Sequence, residues 1–256
     1  MVGAEKLKSL INNRIVCILS HGGSIQRLEE TIEYLKNFDI CWMSLGLYTV
    51  IEDFILSKIN KRLDILFDCA TVPQPQMDIY EKQIRLPRIE QFLARPDDNI
   101  WITTHGLIRD SIIPYKPNIL HNFHHKILQV DQLFPTHAYM DVPNSITLMI
   151  ASALCGRAKK IILFGYDGFK GDDSKSHGTY YKAELAHNEW VYAYGNTINM
   201  GLRRDTIDFE NRFNPIVLLY RTLFNNKADI VNCSPNSSFS VIRKINYDDL
   251  KEELKC

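Results

Sequence analysis

The chain lacks an excess of charge of either sign. Thirty Lys and Arg face thirty Asp and Glu across 256 residues, so no global field draws it to nucleic acid or anionic lipid, and any charged patch has to be local. It also lacks a cysteine framework: Cys17, Cys41, Cys69, Cys155, Cys233 and Cys256 are scattered, with no CxxC and no metal-ligand spacing. Most lie in apolar runs, where a free thiol behaves as a small hydrophobe, and the expectation is buried, reduced thiols in a cytoplasmic protein. Long hydrophobic runs are missing too. None approaches the roughly 20 residues of a spanning helix, and the opening MVGAEKLKSLINNR has no apolar signal core. Peripheral contact at the inner membrane is left open.

Named nucleotide and metal motifs are equally absent: there is no GxGxxG, no GK[ST] and no HExxH. His121 and His125 stand four apart, as in some zinc sites. No Cys or acidic ligand accompanies them at a familiar offset, and no metal site is assigned. There is no internal repeat and no low-complexity segment.

What is present is an ordered alternation of short apolar runs and amphipathic stretches. With 45% hydrophobic and 23% charged residues the composition is that of a globular protein. Ile15 to Leu19 reads as a buried strand, followed by Ser20-His21-Gly22-Gly23-Ser24 and an amphipathic helix from Ile25 to Lys36. Phe38 to Met43 reads as a second strand with a turn at Ser44-Leu45-Gly46, Leu47 to Ile59 as a helix, and Leu63 to Phe67 as a third strand ending at Asp68. Consecutive strand-helix-strand units at this spacing predict a parallel sheet.

Residues 71–98 hold four prolines around a charged helical stretch and read as a surface crossover, and Ile100 to Thr103 reads as another strand. Between Ile108 and Val142 the pattern is weak. Asn144 and Ser145 then open a small-residue apolar helix that Gly156 closes, before the strand Ile161-Ile162-Leu163-Phe164 and its exit Gly165-Tyr166-Asp167-Gly168. Ala183 to Met200 and Thr206 to Asn225 read as helices separated by residues 201–205, with Pro215 expected to kink or divide the second. Asp229 to Asn232 is a last strand, and Tyr247 to Cys256 a charged helix with a mostly solvated face.

The fold expected is one Rossmann-like α/β domain over residues 1–256, a mostly parallel sheet with helices on both faces. A lid-like helical and loop segment (168–204) follows the Gly165-Tyr166-Asp167 strand, and 236–256 forms a C-terminal tail. Ligands of open α/β sheets bind at the carboxyl ends of the strands, so polar residues at those exits are the candidates. The Ser20 to Ser24 turn is either a phosphate cradle, through the backbone of Gly22 and Gly23 and the hydroxyl of Ser24, or a plain tight turn. Ser145 can take phosphate oxygens, Asn144 and Asn236 can read a base or sugar, and Asp167 can accept from a ribose hydroxyl or hold a divalent metal. Asp68 is either a ribose ligand or a solvated strand-end carboxylate. Lys175, His177, Tyr180, Tyr181 and Lys182 suit a lid that excludes water, with His177 as a general base or merely an exposed histidine. Arg203 and Arg204 either neutralise a diphosphate or end a helix.

Three blocks occur in a telling order: Ile18-Leu19-Ser20-His21-Gly22-Gly23-Ser24-Ile25, then Pro143-Asn144-Ser145 through Gly156 to Phe164-Gly165-Tyr166-Asp167, then Cys233-Ser234-Pro235-Asn236-Ser237. In that order they resemble the DUF115 or 6-hydroxymethylpterin pyrophosphokinase MptE-like proteins, and the bacterial CMP-sialic-acid-dependent sialyltransferases that share their core. The resemblance implies a nucleotide pocket formed by His21, Gly22, Gly23, Ser24, Asn144, Ser145, Gly165, Asp167, Pro235 and Asn236. The sialyltransferases carry G-N-G-P-S-L in the first loop, where this chain has His21 for the asparagine and Gly23 for the proline. Their catalytic histidine falls near Leu202 here, so His177 or His187 would have to supply the base. The expected activity is glycosyl transfer from a nucleotide-sugar donor, such as a CMP-linked nonulosonic acid, to a surface glycan acceptor, with no cofactor required. The alternatives are an MptE-like pyrophosphokinase using Mg2+ held by Asp167, Asp172 and Asp173, and a non-catalytic nucleotide-binding module. No nucleic-acid partner is expected, and self-association is left open.

Overall fold

The structure is a computed structural model, and it describes residues 2–20, 23–45, 52–53, 55–68, 85–104, 108–134, 145–167, 202–235, 237 and 239–255. Among these, eight strands form one sheet: β1 (Ile15–Leu19), β2 (Ile40–Leu45), β3 (Ile65–Asp68), β4 (Ile100–Thr103), β5 (Ile127–Gln129), β6 (Lys160–Phe164), β7 (Asp229–Asn232) and β8 (Arg243–Lys244). The spatial order is β5-β4-β3-β2-β1-β6-β7-β8 and every pairing is parallel. The chain starts at the centre with β1, works outward to β5, returns to place β6 against the free side of β1, and works outward again to β8. Its direction of travel reverses between β1 and β6. In an open α/β sheet that reversal leaves a crevice at the carboxyl ends of the two strands.

Near-continuous apolar strands are what burial on both faces requires. Alternate side chains of β1 enter different cores. Val16 and Ile18 join Met43, Phe67, Ile102 and Leu163 on one face, while Cys17 and Leu19 join Trp42, Leu66, Trp101, Ile162 and Phe164 on the other. The first face is covered by α1 (Val2–Ile11), α4 (Ser145–Cys155) and α5 (Leu202–Phe224), and the second by α2 (Leu28–Leu35) and α3 (Leu86–Leu93). Helix α4 is apolar all round and almost wholly buried. A fully enclosed helix has no need of a polar stripe.

Several expectations are adjusted. The second strand runs to Leu45, because Ser44 is buried within it and satisfies its hydroxyl on the Leu19 carbonyl at 3.0 Å. The helix before α2 is wound as a 3-10 turn over Gly23–Arg27. Strands β5 and β8 went unread, since three and two residues are too few to display a periodicity. Helix α5 begins at Leu202 and continues through Pro215 without dividing. Phe213, Ile216, Val217 and Tyr220 are buried on either side of that proline, and this packing offsets the roughly 3 kcal/mol that an interior proline costs.

The expected charged helix from Tyr247 is a 3-10 turn and one short helix whose charged residues Asp248, Asp249, Lys251 and Glu252 are exposed, while its apolar residues pack on the sheet. Lys244 and Arg243 pair with β7, Tyr247 and Leu250 are fully buried, and Leu254 nearly so. Cys17, Cys41, Cys155 and Cys233 are free and buried, and burial pushes each thiol up, Cys155 to about 11. Cys69 and Cys256 lie outside the described residues. Among the described residues no helix is long and apolar enough to cross a membrane.

The C-terminal segment is tied to the amino end of the sheet by ions. Lys160 Nζ donates to the Glu253 carbonyl at 2.8 Å and to its Oε1 at 2.7 Å, and Arg243 donates to the same carboxylate at 2.6 and 3.1 Å. The hydrogen bond from Arg243, with help from Lys160, holds the Glu253 carboxyl down at about 2 against burial, from an ordinary value of 4.5. A depressed carboxyl stabilises the fold above its unfolded value, and that contribution is lost as pH falls through the folded value. Stability should therefore decline between pH 4.5 and about 2. In Glu253→Gln the urea midpoint should be lower at neutral pH and the decline over this window shallower.

Candidate ligand-binding site

The crevice between β1 and β6 is closed at its floor by backbone. Ser20 N–H donates to the Phe164 carbonyl at 2.9 Å, and Cys233 N–H to the Leu163 carbonyl at 2.9 Å, so the exits of β1, β6 and β7 leave the sheet side by side. Gly165 makes this approach feasible. Its φ is +66°, and a Cβ there would sit 2.7 Å from the Ser20 carbonyl oxygen and 3.1 Å from Ile25 Cβ. Any other residue would combine a left-handed backbone with a backbone collision.

Just beyond, Asp167 reaches across to Ser24, 143 positions earlier. One carboxylate oxygen accepts the Ser24 N–H at 2.8 Å and the other accepts the Ser24 hydroxyl. Ser24 Oγ is also 2.7 Å from Ser234 Oγ. Since the single Ser24 hydroxyl hydrogen is given to Asp167, Ser234 is the donor to Ser24. The proton order thus runs from Ser234 to Ser24 to Asp167.

The strand after this cluster is itself keyed in. Asn232, fully buried, donates through Nδ2 to the Tyr166 carbonyl at 3.0 Å and accepts the Ser234 N–H at 3.1 Å. Ser237 N–H closes onto the Ser234 carbonyl at 2.9 Å, and the Tyr166 ring stacks on Phe239 with centroids 4.5 Å apart. From the second face Tyr247 donates its hydroxyl to the Ser24 carbonyl at 2.9 Å. Burial pushes the Tyr247 phenol well up, so it stays protonated and remains a donor.

These contacts define what Ser24 can offer. The turn reads from sequence as either a phosphate cradle or a plain tight turn, and in the structure the amide and hydroxyl hydrogens of Ser24 are both given to Asp167. As built, Ser24 offers an anion no donor, and the carboxylate of Asp167 already occupies the start of the 3-10 turn. What the cluster retains is acceptor capacity, because each carboxylate oxygen has a second lone pair. That suits a ligand hydroxyl better than a phosphate.

Of the other candidates, Gly23 starts the 3-10 turn, Ser145 opens α4 half-buried, and Pro235 follows Ser234 directly. Arg203 and Arg204 lie in the first turn of α5, with side chains outside the described residues. His21, Gly22, Asn144, Asp172, Asp173, Lys175, His177, Tyr180, Tyr181, Lys182, His187 and Asn236 also lie outside them. Asp68 is neither solvated nor turned to a ribose: Arg85 holds it with Nε at 2.6 Å from Oδ2, and the pair is only 12% and 8% exposed. Among the described residues no three His, Cys, Asp or Glu side chains gather to hold a metal. Asp167 is the one suggested Mg2+ ligand among the described residues, and both its oxygens are hydrogen-bonded to Ser24.

Asn232 and Ser234 belong to the Asn232 to Ser237 exit, which the sequence places among the polar strand ends able to form one pocket, without a role for either residue. Tyr247 is not among the sequence candidates, being an aromatic in a charged stretch 223 positions from its partner. A second cleft, about 950 Å³ and lined by Arg14, Glu52, Asp64, Arg95 and Asn99 among others, opens at the amino ends of β2, β3 and β4. Within it Glu52 pairs with Arg95 and Arg62 with Asp97 at 3.8 Å, and it lies at the opposite edge from the Ser24 cluster.

No protein-family model and no curated protein matches the chain. Among solved structures it is similar to the sialyltransferase CstII from Campylobacter jejuni in complex with a substrate analogue, CMP-3FNeuAc. The TM-score is 0.49 and the identity 15%, over 91% of this chain and 86% of that one.

Asp167→Ala removes the acceptor for two Ser24 hydrogens and should cost about 2–3 kcal/mol in urea unfolding, as for a charged hydrogen-bond partner. Ser234→Ala removes one neutral bond and should cost about 1 kcal/mol. Equal costs for the two would contradict the charge-assisted clamp.

Proposed function

We propose that the chain is a glycosyltransferase-like enzyme that takes a nucleotide-activated sugar at the carboxyl edge of β1 and β6 and modifies a surface glycan. The proposed donor is a CMP-linked sialic or other nonulosonic acid. One observation carries the reading. The three sequence blocks that resemble the sialyltransferases and their relatives meet at a single point, where Ser24 of the first, Asp167 of the second and Ser234 of the third are hydrogen-bonded to one another. Their meeting follows from β6 lying between β1 and β7, and it supports the reading by gathering polar residues of all three blocks at one edge.

In this reading the acceptor cluster of Asp167 and Ser24 receives hydroxyl hydrogens of the donor's ribose or sugar. Phosphate is met by backbone of the Ser20 to Ser24 turn other than the Ser24 amide, and by Ser145. An acceptor hydroxyl attacks the anomeric carbon, forming a new C–O bond as the bond to the phosphate oxygen breaks. The hydroxyl proton passes to His177 or His187, and the departing CMP carries the electron pair on its phosphate. Lys175, Tyr180, Tyr181, Arg203 and Arg204 are the proposed lid and substrate residues. The acceptor reaches the enzyme in the cytoplasm, by peripheral contact at the inner membrane where it is lipid-linked. No resident metal is invoked.

A ligand that binds only the native state raises the melting temperature in proportion to the logarithm of its concentration over Kd. A thermal-shift panel of CMP, CDP, UDP, GDP and ATP, with and without magnesium, should give a rise with CMP in the absence of metal. CMP-3FNeuAc should give a larger one. A response to magnesium-ATP alone would sink the transferase and return the pyrophosphokinase.

A further inference from the structure

We infer that Tyr247 is a positioning residue for the Ser24 turn, which makes the segment after β8 part of the ligand site. This rests on the carboxyl edge being that site. Two of the three polar groups of Ser24 are given to Asp167, and the third, its carbonyl, is held by the Tyr247 hydroxyl. The turn is therefore fixed from two sides, by the exit of β6 and by the C-terminal segment.

Tyr247 is itself held so that its hydroxyl cannot drift. The ring is fully buried, packs on Phe164 with centroids 5.9 Å apart, and lies under the Arg27 guanidinium at 5.3 Å. Its backbone carbonyl accepts the Tyr34 hydroxyl at 3.3 Å. Both ends of the residue are thus wired to the 3-10 turn and helix that follow Ser24. From there the chain runs along the second face through Leu250 to Glu253, whose carboxylate meets Lys160 at the start of β6, and Leu254 packs beside it. One short segment spans β6 from its ligand edge to its amino end, anchored by a phenol at one extreme and by ion pairs at the other.

A buried tyrosine with no such part would need only its ring. Tyr247→Phe keeps the ring and removes the one hydroxyl, which separates the two cases. Hydrogen–deuterium exchange of the wild-type protein and the variant should show residues 23–28 exchanging about two- to tenfold faster in the variant, the range of one neutral hydrogen bond. Residues 40–45 of β2 should keep their rate. An unchanged rate at 23–28, or an equal rise in β2, overturns the inference. In titrations with CMP the variant should bind about two- to tenfold more weakly than the wild type at a temperature where both are folded. Equal affinity also overturns it. Should wild-type protein fail to bind CMP, the nucleotide reading fails, and the exchange comparison decides the positioning role by itself.

Discussion

Two oxygens of Asp167 take two hydrogens of Ser24, and the supports of the β1 and β6 exits are arranged around this clamp. It joins the exit of β1 to the exit of β6 across the point where the sheet changes direction. Charge-assisted bonds of this kind are roughly twice as strong as neutral ones, so the turn at Ser24 is stiff before any ligand arrives. With the Ser24 donors consumed, what the cluster has left is acceptor lone pairs.

Around the clamp the structure is organised as supports of decreasing reach. Gly165 allows β6 to leave the sheet against Ser20, Asn232 fastens Tyr166 and Ser234 to β7, and Tyr247 closes the turn from the far face. The segment carrying Tyr247 is held in turn by Glu253, Lys160 and Arg243 at the opposite edge. Position at the site is thereby tied to ion pairs one strand-length away. The pairs Asp68–Arg85 at the exit of β3 and Glu52–Arg95 at the amino-end cleft are mostly buried, and the first neutralises a carboxylate that a reading of strand ends alone would nominate as a ligand.

Much of the scaffold was legible from residues. Ile15 to Leu19, Ile100 to Thr103 and Asp229 to Asn232 read as strands because each is a short apolar run bounded by polar exits, and the structure has them at those positions. Helix α4 was legible from its small apolar residues between Ser145 and Gly156. Strands β5 and β8 were not, since two or three residues carry no period and their pairing is decided by neighbours. Helix α5 runs through Pro215 because its buried face outweighs a local penalty that the sequence states plainly. At the site, Ser24 and Asp167 were each legible as polar residues after a strand. Their contact with one another was not, because two residues 143 positions apart share no local pattern.

Composition and periodicity alone settled a parallel α/β sheet and pointed to its carboxyl edge, because hydrophobic alternation and glycine turns are local properties that survive in one dimension. The partnership of Ser24, Asp167, Ser234 and Tyr247 is a property of strand order. Only when β6 returns to lie beside β1, and the last segment folds back over Phe164, do these four side chains reach hydrogen-bonding distance. The same closure gives the Ser24 hydrogens away, since only the folded chain delivers a carboxylate to them.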